Sequence, residues 1–158
     1  MLTLACLTLV ASLAHSIPLE VQSAPDYLVT RVVDGDTVIL EQIGRVRLIG
    51  VNTPETVDPR RAVERFGKES SLFLKRLLEG RRVRVEYDWN RKDNFNRTLA
   101  YLYLPDGTFV NAEIVRQGYG FAYTRFPFKH LETFKQHERD ARENKRGLWA
   151  PDPPSRPR

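Results

Sequence analysis

The chain has 158 residues, which is long enough for one domain with a sizeable hydrophobic core. Its 25 Lys and Arg residues outnumber its 20 Asp and Glu residues, and the resulting net charge of +5 favours acidic or phosphate-bearing partners. The only cysteine, Cys6, excludes an internal disulfide and a cysteine-based zinc site, and the three histidines lack the spacing of metal ligands.

The first sixteen residues differ from the rest because they contain no Lys, Arg, Asp or Glu. Residues 2–14 are almost wholly apolar or small, a length too short to span a membrane but suited to the core of a secretory signal. We therefore expect a signal peptide over residues 1–16 and a secreted or periplasmic protein. No basic residue opens this segment, so an uncleaved membrane anchor is the alternative.

Strand signals begin after a predicted flexible lead-in over residues 17–26. Three short strands are predicted over residues 27–33, 37–40 and 45–49, because these segments are β-branched or alternate polar and apolar side chains. The turn signals between them make the three strands a meander. Residues 52–59 contain two prolines, which predicts a loop.

A helix is predicted after this loop, because apolar and small residues recur from Val63 to Leu77 at spacings of three and four, and Gly80 is placed to end it. Two more strands are predicted over residues 81–87 and 98–104, with a hairpin from the second onto residues 108–110.

Two further helices complete the predicted elements, over residues 112–117, with Asn111 as the N-cap, and over residues 128–145. The order of elements predicts an α+β fold: a five-stranded OB-fold barrel with about three helices packed on it. The domain would cover residues 27–150, and the proline-rich, basic residues 151–158 are predicted to be a disordered tail.

Acidic and amide side chains cluster at two places that a meander brings together. The start of the second strand and the end of the third lie close in such a unit, so we expect Asp36, Asn52 and Glu55 to converge. Their oxygens are hard ligands of the kind that Ca²⁺ or Mg²⁺ prefers. The alternative is that the Asp34-Gly35 pair is only a hairpin turn and Glu55 only a solvated loop acid.

Two arginines are candidates to join these acids: Arg47 lies in the third predicted strand, five residues before Asn52, and Arg97 follows the polar turn after the fourth. If both face the acids, the site combines opposite charges around an anion, as phosphodiester cleavage requires. Guanidinium groups match the geometry of phosphate oxygens and stabilise the charge of the transition state. The alternative is that they are two ordinary surface arginines among many.

Four motifs in the chain resemble, in order, those of the thermonuclease (staphylococcal nuclease-like) family. The motifs are VDGDTV at residues 33–38, RLIGVNTPE at 47–55, DNFNRTLAY at 93–101, and VN followed by VRQG within 110–118. The resemblance covers the chain from about Tyr27 to Trp149 and implies an OB-fold nuclease with one Ca²⁺ ion. Such an enzyme cleaves DNA and RNA and leaves 3′-phosphate ends. We expect a monomer acting on single-stranded or frayed nucleic acid, with no obligate protein partner.

The resemblance also implies roles for individual residues. Asp36 and Asn52 would be metal ligands through their side chains, and Thr53 through its backbone carbonyl. Glu55 would orient or deprotonate the attacking water as the general base.

The remaining site residues implied by the resemblance contact the substrate. Arg47 and Arg97 would hold the phosphate and stabilise the transition state. Tyr123, and Phe95 by stacking on a base, would contact the nucleotide. Arg60 and Arg61, in the loop after Glu55, would meet the substrate backbone.

Two positions depart from the family pattern. Asn52 stands where the family has an aspartate ligand, so one negative charge is missing and we expect weaker metal binding. Asn94-Phe95 replaces a Lys-Tyr pair, and the Phe95 ring can stack on a base but cannot donate a hydrogen bond.

The alternative function is a non-catalytic OB-fold module that binds nucleic acid. A basic structural protein of the cell envelope is a more remote alternative. The presence of both acids and both arginines favours the enzyme.

Overall fold

The computed structural model describes residues 26–55 and 65–151. The predictions for the signal segment, the lead-in before residue 26, the tail from residue 152, and Arg60 and Arg61 lie outside the described residues. Within the described ranges, no helix is long and apolar enough to cross a membrane.

Five of the seven strands in the described part of the chain close into a barrel in the order β1-β2-β3-β6-β5, which confirms the predicted OB-fold. All neighbours in the barrel are antiparallel except β3 and β6, which pair in parallel. The strands are β1 (Asp26–Val32), β2 (Thr37–Leu40), β3 (Gly44–Leu48), β4 (Val51–Asn52), β5 (Arg82–Glu86), β6 (Thr98–Tyr103) and β7 (Phe121–Ala122).

Three α-helices and a short 3-10 helix pack on the barrel. They are α1 (Gly67–Leu78), α2 (Val110–Arg116), α3 (Leu131–Glu143) and the 3-10 helix Gly147–Trp149. As predicted, Gly80 follows the end of α1 in the left-handed conformation, with φ +77°.

One hydrophobic core joins the barrel to its helices. Each barrel strand contributes fully buried side chains, and α1 and α3 add Leu74, Leu78 and Phe134. Fully burying a side chain of this size stabilises the fold by about 1.5 to 3 kcal/mol. The core therefore makes the barrel a rigid base for the polar residues at its rim.

Two local predictions after β6 are wrong. Residues 108–110 do not form a strand, because only Phe109 bridges to Tyr103 and Val110 already begins α2. Asn111 does not cap the helix, because its buried side chain donates to the carbonyls of Ile49 and Ala100 and accepts from the Leu102 N–H. Buried backbone N–H and C=O groups beside the barrel need hydrogen-bond partners, and the Asn111 side chain supplies them instead of capping the helix.

The predicted loop after β3 also begins differently from the prediction. Val51 and Asn52 form the short strand β4, which pairs with Ala122 and Phe121 of β7. Pro54 lies beyond the paired residues, so its missing N–H does not interrupt the pairing. This pairing brings the segment that follows β7 to the same end of the barrel as β4.

Candidate active site

Asp36 is buried at the start of β2, and its carboxylate links that turn to the segment after β4. Its Oδ1 accepts a hydrogen bond from Thr37 Oγ1 at 3.0 Å. Its Oδ2 accepts hydrogen bonds from Thr53 N at 3.0 Å and from Thr53 Oγ1 at 3.2 Å. The convergence of Asp36 with the segment after the third barrel strand is therefore as predicted.

Gly35 allows this close approach. A Cβ atom at residue 35 would lie 2.8 Å from two side-chain atoms of Thr53 and 2.9 Å from the Cβ of Ser70. Any larger residue would push the turn away from α1 and from the segment that holds Thr53.

Arg47 lies on β3 directly opposite Thr37 and bridges Asp36 and Asn52. Its Nη1 is 2.6 Å from Asp36 Oδ2, and its Nη2 donates to Asn52 Oδ1 at 3.4 Å. Nη1 is buried and has no directed hydrogen bond to any described residue, so its contact with Asp36 is an ion pair of poor hydrogen-bond angle. The guanidinium is thus fixed between the Asp36 carboxylate and the Asn52 amide.

A second carboxylate, that of Asp34, lies beside Asp36 and accepts a hydrogen bond from the Asp36 N–H at 3.1 Å. Burial, and then the nearby charge of Asp36, raises the pKa of Asp34 to about 6. The site therefore disfavours two negative charges, and a bound cation would relieve this repulsion.

The oxygen donors at this end of the barrel fit a hard divalent cation. They include the Asp36 carboxylate, the exposed Asn52 amide and the hydroxyl of Thr53, and the resemblance to the family adds the Thr53 carbonyl, a mixture that Ca²⁺ accepts. Within residues 26–55 and 65–151, no group of three or more His, Cys, Asp or Glu side chains is arranged to hold a metal. A cation here would thus depend on amide and carbonyl oxygens as well as on carboxylate.

Arg97 is held by its own loop, immediately before β6. Its Nε is 2.6 Å from Asp93 Oδ2, while Asp93 Oδ1 accepts the N–H groups of Phe95 and Arg97, each at 2.9 Å. Burial alone would raise the pKa of Asp93, but these hydrogen bonds and the Arg97 charge lower it below its ordinary value. The loop therefore presents Arg97 in a fixed position.

One cleft of about 500 Å³ brings together five of the eight predicted site residues that lie within the described residues. Arg47, Asn52, Phe95, Arg97 and Tyr123 all line it. The two arginines, more than forty residues apart in sequence, thus face the same space, as the motifs require.

Glu55 is half-buried and does not line this cleft. It follows Thr53 by two residues, and the backbone of Thr53 is fixed to Asp36. Two residues of extended chain span at most about 7 Å, so the backbone of Glu55 stays near the Asp36 carboxylate.

Other side chains of the cleft were not singled out from the sequence. They include Trp89, Lys92, Arg125 and Phe126. Trp89 belongs to a segment interpreted only as a polar turn, and Phe126 lies between β7 and α3. A bulky aromatic residue inside a polar turn, away from any apolar periodicity, is the signal that points to Trp89.

The fold and the cleft define a class: an OB-fold protein whose rim combines paired acids with two arginines, suited to an anionic, phosphate-bearing ligand. Comparison with known proteins identifies the family within this class. Residues 45–151 match the family model described as staphylococcal nuclease homologue. The chain belongs to this family.

Curated relatives agree with the family model. The chain is 41% identical over 128 residues to the thermonuclease of Staphylococcus hyicus, and 43% identical over 127 residues to the thermonuclease of Staphylococcus intermedius. Each match covers 78% of this chain and 75% of the relative. The SPbeta prophage-derived endonuclease YokF of Bacillus subtilis is 33% identical over 131 residues, which are 79% of this chain and 44% of that protein.

Proposed function

We propose that the protein is a Ca²⁺-dependent endonuclease that hydrolyses DNA and RNA to products with 3′-phosphate ends. That it is a nuclease, an enzyme hydrolysing phosphodiester bonds, follows from its family and from its thermonuclease and endonuclease relatives. The observation that carries the finer proposal is that Arg47, Arg97 and the oxygen donor Asn52 face one cleft at the rim of the barrel.

The two arginines hold the scissile phosphate in this proposal. Arg47 reaches the cleft from β3 and Arg97 from the loop before β6, so their guanidinium groups can contact different non-bridging oxygens. As water attacks, negative charge grows on those oxygens, and the fixed guanidinium groups stabilise it without reorganising. Losing one such donor raises the barrier by about 3 to 4 kcal/mol.

Glu55 accepts the proton of the attacking water. Its position on the segment that begins at the Asp36-bound Thr53 supports this role. The water oxygen forms a bond to phosphorus, the bond from phosphorus to the 5′ oxygen breaks, and the 5′ oxygen takes up a proton. The phosphate therefore remains on the 3′ oxygen. A positioned general base of this kind contributes about 10² to 10⁴ in rate.

Asp36, Asn52 and the carbonyl of Thr53 would hold one Ca²⁺ ion. When bound, the ion supplies positive charge that neutralises the phosphate and the transition state. Since Asn52 brings no charge, we expect weak binding, with a Kd for Ca²⁺ of roughly 10⁻⁴ to 10⁻³ M, as in extracellular calcium-binding modules. Export by residues 1–16, which we also propose, would expose the enzyme to such calcium.

A cleavage assay tests the proposal. The purified protein is incubated with labelled single-stranded DNA in Ca²⁺ and in EDTA, and the product ends are identified by treatment with a 3′-phosphatase. We expect cutting in Ca²⁺ only, 3′-phosphate products, and a loss of about 10² to 10⁴ in kcat for Glu55→Gln. Glu132→Gln, an exposed glutamate on α3, is the control and should retain full activity.

The same assay recognises the alternative. If the DNA is retarded in a gel but stays intact in both Ca²⁺ and EDTA, the protein is a non-catalytic OB-fold module that binds nucleic acid. If cleavage persists in EDTA, the enzyme does not require a divalent cation, and the proposed Ca²⁺ dependence is wrong.

A further inference from the structure

Large apolar side chains are strongly exposed at four described positions, and three of the four line the cleft. Trp89 is 62% exposed, Phe95 is 80% exposed and Phe126 is 59% exposed, whereas Leu72, at 52%, lies elsewhere on α1. Scattered exposed apolar residues need no explanation, but a concentration of aromatic rings in one cleft marks a binding surface. Phe95 is already part of the proposed nucleotide site, which leaves Trp89 and Phe126 without a role.

Asp88 ties together the two segments that carry these two rings. Its Oδ1 accepts the Trp89 N–H at 2.9 Å, and its Oδ2 accepts the Lys129 N–H at 2.9 Å and the hydroxyl of Tyr101. Trp89 lies in the loop after β5, and Phe126 lies three residues before Lys129. One carboxylate therefore holds both walls of this part of the cleft to the barrel.

Positive charge surrounds the rings. Lys92, Arg97 and Arg125 line the same cleft, and the Arg125 guanidinium is 5.9 Å from the centre of the Phe126 ring. Phe126 also neighbours Tyr123, with ring centres 6.0 Å apart. Aromatic rings interleaved with basic side chains in a groove are typical of surfaces that bind single-stranded nucleic acid, where bases stack and cations follow the backbone.

We propose that Trp89 and Phe126 form a second base-binding subsite, which stacks an unpaired base next to the nucleotide held at Phe95 and Tyr123. This inference rests on the proposed nuclease function and names its substrate class, because only an unpaired base offers its face to a ring. In a duplex the faces are already stacked on neighbouring base pairs. The subsite therefore favours single-stranded or frayed DNA and RNA over duplex.

Steady-state kinetics on three substrates test the subsite. The substrates are a chromogenic phosphodiester of a single nucleotide, a single-stranded oligonucleotide of about ten nucleotides, which is within the site sizes of OB folds, and the duplex of that oligonucleotide. The variants are Trp89→Ala, Phe126→Ala and Trp89→Phe. Leu72→Ala is the matched control, since it also removes an exposed apolar side chain, but outside the cleft.

We expect each alanine variant to raise KM for the single strand about fivefold or more, the loss of one stacked base, with kcat unchanged. The mononucleotide diester, too short to reach the subsite, should be cleaved equally by all variants. Trp89→Phe should keep a KM near that of the wild type, because a phenyl ring still stacks. Leu72→Ala should change nothing.

An unchanged KM in both alanine variants would overturn the proposal. So would an equal loss on the mononucleotide diester, which would mean a general disturbance of the cleft, or an equal loss on duplex and single strand. If the wild type cleaves no substrate, the nuclease proposal itself has failed. Fluorescence anisotropy with the labelled single strand in EDTA then decides the subsite: weaker binding by Trp89→Ala supports it, and equal binding overturns it.

Discussion

Arg47 and Arg97 face the same cleft but are held there by different kinds of structure. Arg47 on β3 pairs with Asp36, which immediately precedes the neighbouring strand β2, and the Arg47 side chain is 14% exposed. Arg97 pairs with Asp93 four residues earlier in the same loop, and its side chain is 27% exposed. Both ion pairs have the same 2.6 Å separation.

The barrel rim and the loop before β6 therefore differ in how firmly each is expected to hold its arginine. The barrel rim holds Arg47 through contacts between strands that cannot move without disturbing the core, so this end is fixed. The loop before β6 holds Arg97 by local hydrogen bonds and also carries the exposed rings of Trp89 and Phe95. The proposed chemistry needs an arginine from each region, whereas the proposed base-stacking rings all lie on the loop and on the segment after β7.

The largest effects are expected from replacing each arginine by lysine. A lysine cannot reproduce the guanidinium fork, so Arg47→Lys and Arg97→Lys should each lower kcat about 10² to 10³-fold. Arg47→Lys should also lower Tm, because its two Nη groups contact both Asp36 and Asn52, whereas Arg97→Lys should leave Tm nearly unchanged.

Activity and thermal unfolding of both variants measure this contrast. Arg84→Lys is the control, since Arg84 also pairs with an acid, Glu86, but does not line the cleft. Equal losses of Tm in the two cleft variants would show that the loop holds its arginine as firmly as the barrel does.

A smaller effect is expected at the proposed calcium ligands of the rim. Asn52→Asp adds one negative charge beside Asp36 and should tighten Ca²⁺ binding about tenfold, because affinity for hard cations rises with ligand charge. Calorimetric titration of the wild type and the variant measures it. Asn90→Asp adds the same charge elsewhere in the cleft and is the control. Equal affinities of wild type and Asn52→Asp would remove Asn52 from the metal site.

The barrel was predictable from the sequence because its signals are local. β-branched runs, alternation and turn dipeptides marked all five barrel strands, and the order of elements then limited the topology to an OB-fold. β4 and β7 escaped prediction because two residues carry no periodicity, and they form only where the tertiary structure brings them together. Asn111 was misinterpreted for a related reason: its partners Ile49 and Ala100 are remote in sequence.

The site was predictable in part. The motifs identified Asp36, Arg47 and Arg97, and the structure brings the two arginines to one cleft. Asp88 joins its loop to the segment before α3 by accepting the Lys129 N–H, 41 residues away, and no local sequence pattern predicts this hydrogen bond. The polar turn around Trp89 is a signal that this ring is exposed, whereas Phe126 carries no such signal, because composition alone favours burying a large aromatic ring.

The smallest expected effect concerns the acid that holds Arg97. Because the pKa of Asp93 is lowered in the folded protein, its stabilising contribution is present above the ordinary value of 3.8 and is lost as pH falls through the folded pKa. Asp93→Asn removes that contribution, so it should reduce the free energy of unfolding by about 1 kcal/mol or less at pH 7, because solvent still screens this half-buried pair.

Urea denaturation at a series of pH values measures the difference between Asp93→Asn and the wild type. The gap in unfolding free energy should be widest near neutral pH and should close as the pH falls below 3.8, because protonated aspartic acid is then as neutral as asparagine. Asp26→Asn, at the exposed start of β1, is the control and should leave no such gap. A gap for Asp93→Asn that stays constant with pH would mean that the loop is held by the shape of the residue and not by its charge. The distinction between a fixed rim and an electrostatically held loop would then fail.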